Sequence, residues 1–360
     1  MKNSIFIVHL FLVLLFCACD KHYEMLTQIN PDGSCIRQFQ LRTNDTAFLA
    51  GDTSFNPFPV RLDTAWRVSV YDSVNGAWQP WPLQHLKSPV RASAVIATHP
   101  YASVEDMSRN FRFDHGSWKN IKPEITWKKS FRWFYTYYTF SEKYTRYPPQ
   151  ELPVPLEEYL TPEEQIQWFQ GDPAAYRGMN GNEIYDYLEQ LQEKAETWGK
   201  KSLFILQYSV IQDFLASGSD NPWSGRLSQA RDSIFTIYKE NYSFWSDHLA
   251  SLLDQYFRTA YFSEAYRKNQ RVLDSLSDVK SAVLELFDSH IQYELVMPGK
   301  VISTNAPHSE NGKLIWQLNA YRFLPADYIL QAESRRLNLW AVLVTLLFLG
   351  GVVYLFRHSI

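Results

Sequence analysis

The sequence predicts an α+β body whose N- and C-terminal strands share a sheet, with an all-helical insertion between them and a transmembrane helix at the C-terminal end. Three features point there. Strand-like runs punctuated by Gly and Pro occupy the front and back of the chain. Between them lies a Gly- and Pro-poor stretch with apolar residues at helical spacing, and an uncharged apolar run follows the last strand.

The chain opens with Lys2 and an apolar run from Ile5 to Phe16 broken only by His9. With Ala18-Cys19 behind it, this is the pattern of a lipoprotein signal peptide over residues 1–18. Small Ala18 precedes Cys19, whereas bulky Phe16 precedes Cys17, so the lipid-modified residue is expected to be Cys19. The motif resembles a bacterial lipobox with Phe16 as an imperfect first position. An uncleaved N-terminal anchor is the alternative, although so short an apolar run falls below the length of a span.

A β-rich N-terminal part is expected over residues 19–154. Glu24–Ile29 and Cys35–Leu41 read as a hairpin, because Asn30-Pro31-Asp32-Gly33 supplies the turn geometry. Arg67–Tyr71 and Arg91–Thr98 continue the strand texture. Ile125–Tyr144 is rich in aromatic residues and Thr and lacks Gly and Pro, which predicts a long strand or a strand pair.

Residues 155–290 are expected to be all-helical. Thr161-Pro162-Glu163-Glu164 is a capping box with Pro in the first turn. Further helices are predicted at Asn182–Trp198, Lys201–Ala216, Arg226–Asn241 and Phe244–Ala260. The longest is predicted at Ser263–His290, where Ala265, Val272, Leu276, Val279, Val283 and Leu286 fall on one stripe.

Residues 291–336 return to strands and complete the sheet: Tyr293–Met297, Val301–Thr304, Leu314–Leu318 behind the Asn311-Gly312 hairpin signal, and Tyr328–Ala332. Leu337–Phe356 then carries no charge, and its length matches the roughly 30 Å of bilayer hydrocarbon at about 1.5 Å per residue. Trp340 and Tyr354 sit near its ends, where amphipathic rings favour the headgroups. Residues 357–360 are left as a cytoplasmic tail.

Arg335 and Arg336 before the helix, against Arg357 after it, would by the positive-inside rule point the other way, but the export signal is expected to prevail. Residues 20–336 are therefore expected on the extracytoplasmic side. Helical spans belong to a cytoplasmic rather than an outer membrane, and Asp20 resembles an inner-membrane retention signal. The expected location is the outer face of the inner membrane.

Hydrophobic residues make up 46% and aromatics 16% of the 360 residues, which excludes disorder, and a net charge of −3 gives no reason to expect nucleic acid. Of three cysteines, Cys17 leaves with the signal peptide and Cys19 carries lipid. Cys35 then lacks an internal disulfide partner and reads as a small buried hydrophobe.

The strand-turn Ile29-Asn30-Pro31-Asp32-Gly33-Ser34 together with Val296-Met297-Pro298-Gly299-Lys300-Val301, Asn305, Gly312-Lys313-Leu314-Ile315-Trp316 and a C-terminal span is similar to LppM-type domains of membrane-anchored lipoproteins. The likeness covers about a third of the chain and leaves the helical middle unmatched. It implies a small α+β body and a lipid ligand.

No His-Glu-x-x-His, Gly-x-Ser-x-Gly, phosphate loop or dinucleotide glycine pattern occurs. Ser277-x-x-Lys280 has the spacing of a nucleophile motif but falls mid-helix without its companions. His85, His99 and His115 would have to converge from separate loops to hold a metal, and Glu157-Glu158 and Glu163-Glu164 suit helix starts. No catalytic residue, metal or cofactor is expected. The aromatic run from Phe131 to Phe140 offers Trp133, Tyr135 and Tyr137 as candidate contacts to a ligand or partner, against the alternative of a strand buried on both faces. The function expected is a non-catalytic, membrane-anchored interaction module for an envelope protein. The alternatives are binding of a lipid or other amphipathic ligand, and a hydrolase with a motif-free site.

Overall fold

The computed structural model describes residues 21–43, 56–74, 77–80, 93–119, 121–171, 173–216, 222–240 and 246–358. The signal peptide, Cys19 and His85 lie outside them. The chain divides into two compact units: Met1–Thr145, Asp288–Asn319 and Asp327–Ile360 form the first, and Arg146–Phe287 with Ala320–Ala326 the second.

The first unit contains β1 (Lys21–Ile29), β2 (Cys35–Thr43), β3 (Arg67–Val74), β4 (Ala77–Pro80), β5 (Ser93–Tyr101), the short helix α1 (Val104–Asn110), β6 (Pro123–Arg132) and β7 (Tyr135–Tyr144). The second contributes α2 (Pro162–Gln170), α3 (Gly181–Ala216), α4 (Trp223–Glu240), α5 (Ser246–Phe257), α6 (Tyr261–Lys268), α7 (Gln270–Ser281) and the single turn α8 (Leu284–Phe287). The chain then returns to the first unit as β8 (Ser289–Val296), β9 (Lys300–Thr304), β10 (His308–Glu310), β11 (Lys313–Asn319), β12 (Tyr328–Leu337) and α9 (Leu339–His358).

The α+β class is as expected, but the strands form two sheets rather than one. Their orders are β10-β11-β8-β1-β2-β5-β3-β4 and β6-β7-β12-β9. Front and back strands mix in both: β1 pairs with β8 in parallel, and β7 pairs with β12 antiparallel. Both sheets carry an apolar face, and packing two layers buries what a single sheet would leave wet. Across the larger sheet Ala97, Phe39, Met25, Tyr293 and Trp316 stand opposite one another, all fully buried. From the smaller sheet Tyr138, Phe140 and Tyr144 of β7 and Leu330 and Ala332 of β12 are buried likewise.

Local turn chemistry acts as expected. Asn311 and Gly312 both have positive φ between β10 and β11, the geometry of the tight hairpin turn that Asn-Gly favours. The capping box forms in full: Glu164 N–H donates to Thr161 Oγ1 at 3.3 Å, and Thr161 N–H donates to Glu164 Oε2 at 2.9 Å.

Helix boundaries differ from expectation most at two places. The helices expected on either side of Gly199 are one, because Leu191, Ala195, Trp198, Ser202, Ile205, Tyr208, Ile211 and Leu215 advance by three or four residues without a break. Burial of that stripe outweighs the roughly 1 kcal/mol that a Gly costs in a helix. Conversely, the single helix expected at Ser263–His290 is α6, α7 and α8. Asn269 ends α6 by donating its backbone N–H and its side-chain Nδ2 to Ala265 O, and its own carbonyl accepts from Leu273 N–H at the start of α7. The turn resets the helical phase, so Leu273 is buried while Val272 and Val279 are 54% and 74% exposed. His290 belongs to β8.

The C-terminal helix α9 is long and apolar enough to cross a membrane. Leu343, Leu346, Leu347, Phe348, Val353, Leu355 and Phe356 are all exposed, so it is no core helix.

Candidate functional site

Several of the sequence candidates for chemistry have structural partners. Lys280 pairs with Asp213 at 2.7 Å, and Glu157 pairs with Arg146 at 3.0 Å. Glu164 meets Lys194 at 2.6 Å. Partial burial opposes its charge, but Lys194 and the Thr161 N–H prevail and hold the carboxyl below its usual range. His99 stacks on Tyr101 and meets the edge of Trp66, while His115 Nε2 lies 3.0 Å from Asn56 O. Among the described residues no three His, Cys, Asp or Glu side chains come together as a metal site.

The aromatic run is a hairpin. β6 and β7 pair in register from Pro123↔Tyr144 to Arg132↔Tyr135, leaving Trp133-Phe134 as a two-residue turn. The commonest two-residue hairpin turns need positive φ, which neither residue adopts. The turn is held from outside. Asn338, the single residue between β12 and α9, donates Nδ2 to Arg132 O and Trp133 O at 3.0 and 3.1 Å and its backbone N–H to Phe134 O at 2.8 Å. Its Oδ1 accepts from Thr136 Oγ1 at 2.9 Å.

The structure separates the three candidate contacts. Trp133 stands at the turn against α9: its Nε1 donates to Thr345 Oγ1 at 2.9 Å, and its ring meets Trp340 edge-on. Phe131 stacks on the same Trp340. Tyr135 and Tyr137 are half-buried along β7, each under a guanidinium 4.7 Å away, from Arg335 and Arg132 respectively. Along β7 buried and half-buried residues alternate, while Phe131, Trp133 and Phe134 at the turn are exposed beside the apolar helix.

A second constellation, absent from the sequence reading, is a buried ion pair between the sheets. Arg37 of β2 donates Nη1 to Glu142 Oε1 at 3.1 Å and Nη2 to Oε2 at 2.6 Å, with both side chains fully buried. Tyr144 and Tyr293 hydroxyls donate to the same carboxylate at 2.8 and 2.9 Å. Thr27 Oγ1 accepts from Arg37 Nε, and the guanidinium lies 4.2 Å from the centre of the Phe111 ring. Burial disfavours the Arg37 charge, yet Glu142 more than offsets it and raises the pKa of Arg37. Burial first and the Glu142 charge second push both phenols well above their ordinary range, so they stay protonated donors. The strand parity was the available signal: Arg37 shares a strand face with Cys35 and Phe39, and Glu142 with Phe140 and Tyr144.

The cavity between Ile211, Leu215, Phe262 and Leu273 in the helical unit holds about 10 Å³ and is too small for a ligand. Comparison with protein families, curated proteins and solved structures finds no match to this chain.

Proposed function

We propose that the chain is an envelope lipoprotein, lipid-modified at Cys19 and crossing the cytoplasmic membrane with α9. Its body stands on the extracytoplasmic face as an interaction module for a protein partner. The observation that carries this reading is the outward face of α7. Val272 and Val279 lie two turns apart on one stripe and are 54% and 74% exposed, in a unit whose own core is filled by Phe204, Leu227, Ile234 and Leu253. Apolar side chains repeating at that spacing suit a helix or groove on a partner. The direct passage of β12 into α9 through Asn338 also favours a β unit of fixed orientation over one on a slack tether.

A photo-crosslinking amino acid at Val279, introduced in living cells, is expected to give one reproducible adduct that the same group at exposed Glu193 does not. Adding Val272→Glu should abolish it. Identical products from both positions, or an adduct indifferent to Val272→Glu, would contradict the reading.

A second reading, binding of a lipid or other amphipathic molecule as the LppM-type resemblance implies, draws support from a different place: the exposed aromatic turn beside α9.

A further inference from the structure

We infer that the β6–β7 turn is an aromatic wedge seated in the headgroup and upper acyl region of the bilayer that α9 crosses. The β unit would thus grip the membrane surface beside α9, adding a contact to the one the helix itself makes. The inference rests on reading α9 as a span.

Depth follows from geometry. The apolar stretch from Leu337 to Phe356 is about as long as the bilayer hydrocarbon is thick, so its first turns have no slack to stand clear of the lipid. Thr345 lies six residues into α9 from Leu339, about 9 Å along the axis at 1.5 Å per residue. The Trp133 indole is bonded to Thr345 and therefore shares its depth. Phe131 and Trp133 pack on Trp340, Phe134 follows Trp133 in the turn, and all four are 44–58% exposed. Such rings favour the bilayer interface, where an apolar body and a polar edge are both satisfied.

The backbone is prepared for that environment. A turn entering lipid must have its polar groups paired internally. Here the carbonyls of Arg132, Trp133 and Phe134 all accept from Asn338, and the Thr345 hydroxyl donates to Ala341 O. Charge agrees as well: Arg132, Arg335 and Arg336 stand at the strand ends next to the turn and α9, with the Arg335 and Arg132 guanidiniums over the Tyr135 and Tyr137 rings, and such cations suit lipid phosphates.

The test uses the full chain reconstituted in phosphatidylcholine vesicles with a minority of phosphatidylglycerol. Phe134→Cys is labelled with an environment-sensitive fluorophore, and Asn305→Cys, on the exposed segment after β9, serves as a second labelling site. At 134 the emission should shift to the blue and be quenched more strongly by nitroxide near the headgroups than by nitroxide at the acyl-chain ends. Vesicle flotation is read in parallel. Protein that floats but shows water-like emission at 134 overturns the wedge while leaving the span intact. A blue-shifted probe that no lipid nitroxide quenches assigns the turn to a protein contact and also overturns it. Protein that fails to float removes the span and the wedge together.

Discussion

Glu142→Ala is expected to destabilise the β unit by about 3–5 kcal/mol, because it leaves the Arg37 guanidinium charged, fully buried and without its counterion. Thr27 alone cannot compensate, and the Tyr144 and Tyr293 hydroxyls lose the acceptor they share. Replacing both charges, as in Arg37→Met with Glu142→Leu, should recover most of the loss, since the desolvation cost disappears with the attraction. Cys35 provides the readout. It lies two residues from Arg37, is 2% exposed, and burial pushes its thiol up to about 12, so it reacts with an alkylating reagent only when the unit opens. Alkylation should be fast in Glu142→Ala and slow in the parent and the double variant. The parent should itself weaken at alkaline pH. Phenols with a raised folded pKa keep protons that the unfolded chain surrenders above about pH 10, so this stabilisation is complete below that pH and falls above it.

Gly299→Ala is the second large effect. Gly299 sits at φ +82°, where a side chain is strained, and an added Cβ would overlap the Arg335 carbonyl oxygen and lie 2.9 Å from its carbonyl carbon. Arg335 pairs with Lys300 next to the register shift at Glu333/Ser334, so β9 would have to part from β12. Left-handed strain of about 1–3 kcal/mol adds to that lost pairing. The damage should be local: hydrogen exchange is expected to accelerate in β9 and at Ser334–Arg336, while β1, β2 and β8 keep their protection. Uniform acceleration through both sheets would show that β9 is no independent edge.

What the sequence made legible was short-range. The turns at Asn30–Gly33 and Asn311-Gly312 and the cap at Thr161–Glu164 depend on neighbouring residues, and each forms where its residues stand. Features that depend on distant partners were hidden. Trp133-Phe134 carries no turn chemistry of its own, because its carbonyls are held by Asn338, 205 residues away in the case of Trp133. Arg37 finds Glu142 across 105 residues, and only the parity of two strands hinted that both charges faced inward. The split at Asn269 illustrates a third kind of limit. A stripe extrapolated through one residue that ends one helix and starts the next assigned Val272 and Val279 to the core, whereas the structure exposes them. The candidate set of Trp133, Tyr135 and Tyr137 was found for its aromatic excess, yet what distinguishes Trp133 is its neighbour Thr345 on α9, which strand alternation could not disclose.

The claim on which the rest depends is that α9 crosses a membrane with the body outside. Thiol labelling with a membrane-impermeant maleimide addresses it directly, using Tyr185→Cys, exposed in the helical unit, and His358→Cys, at the end of α9. In intact spheroplasts the account predicts labelling at 185 and none at 358 until the membrane is permeabilised. Labelling at 358 with protection at 185, or equal labelling of both before permeabilisation, would contradict it.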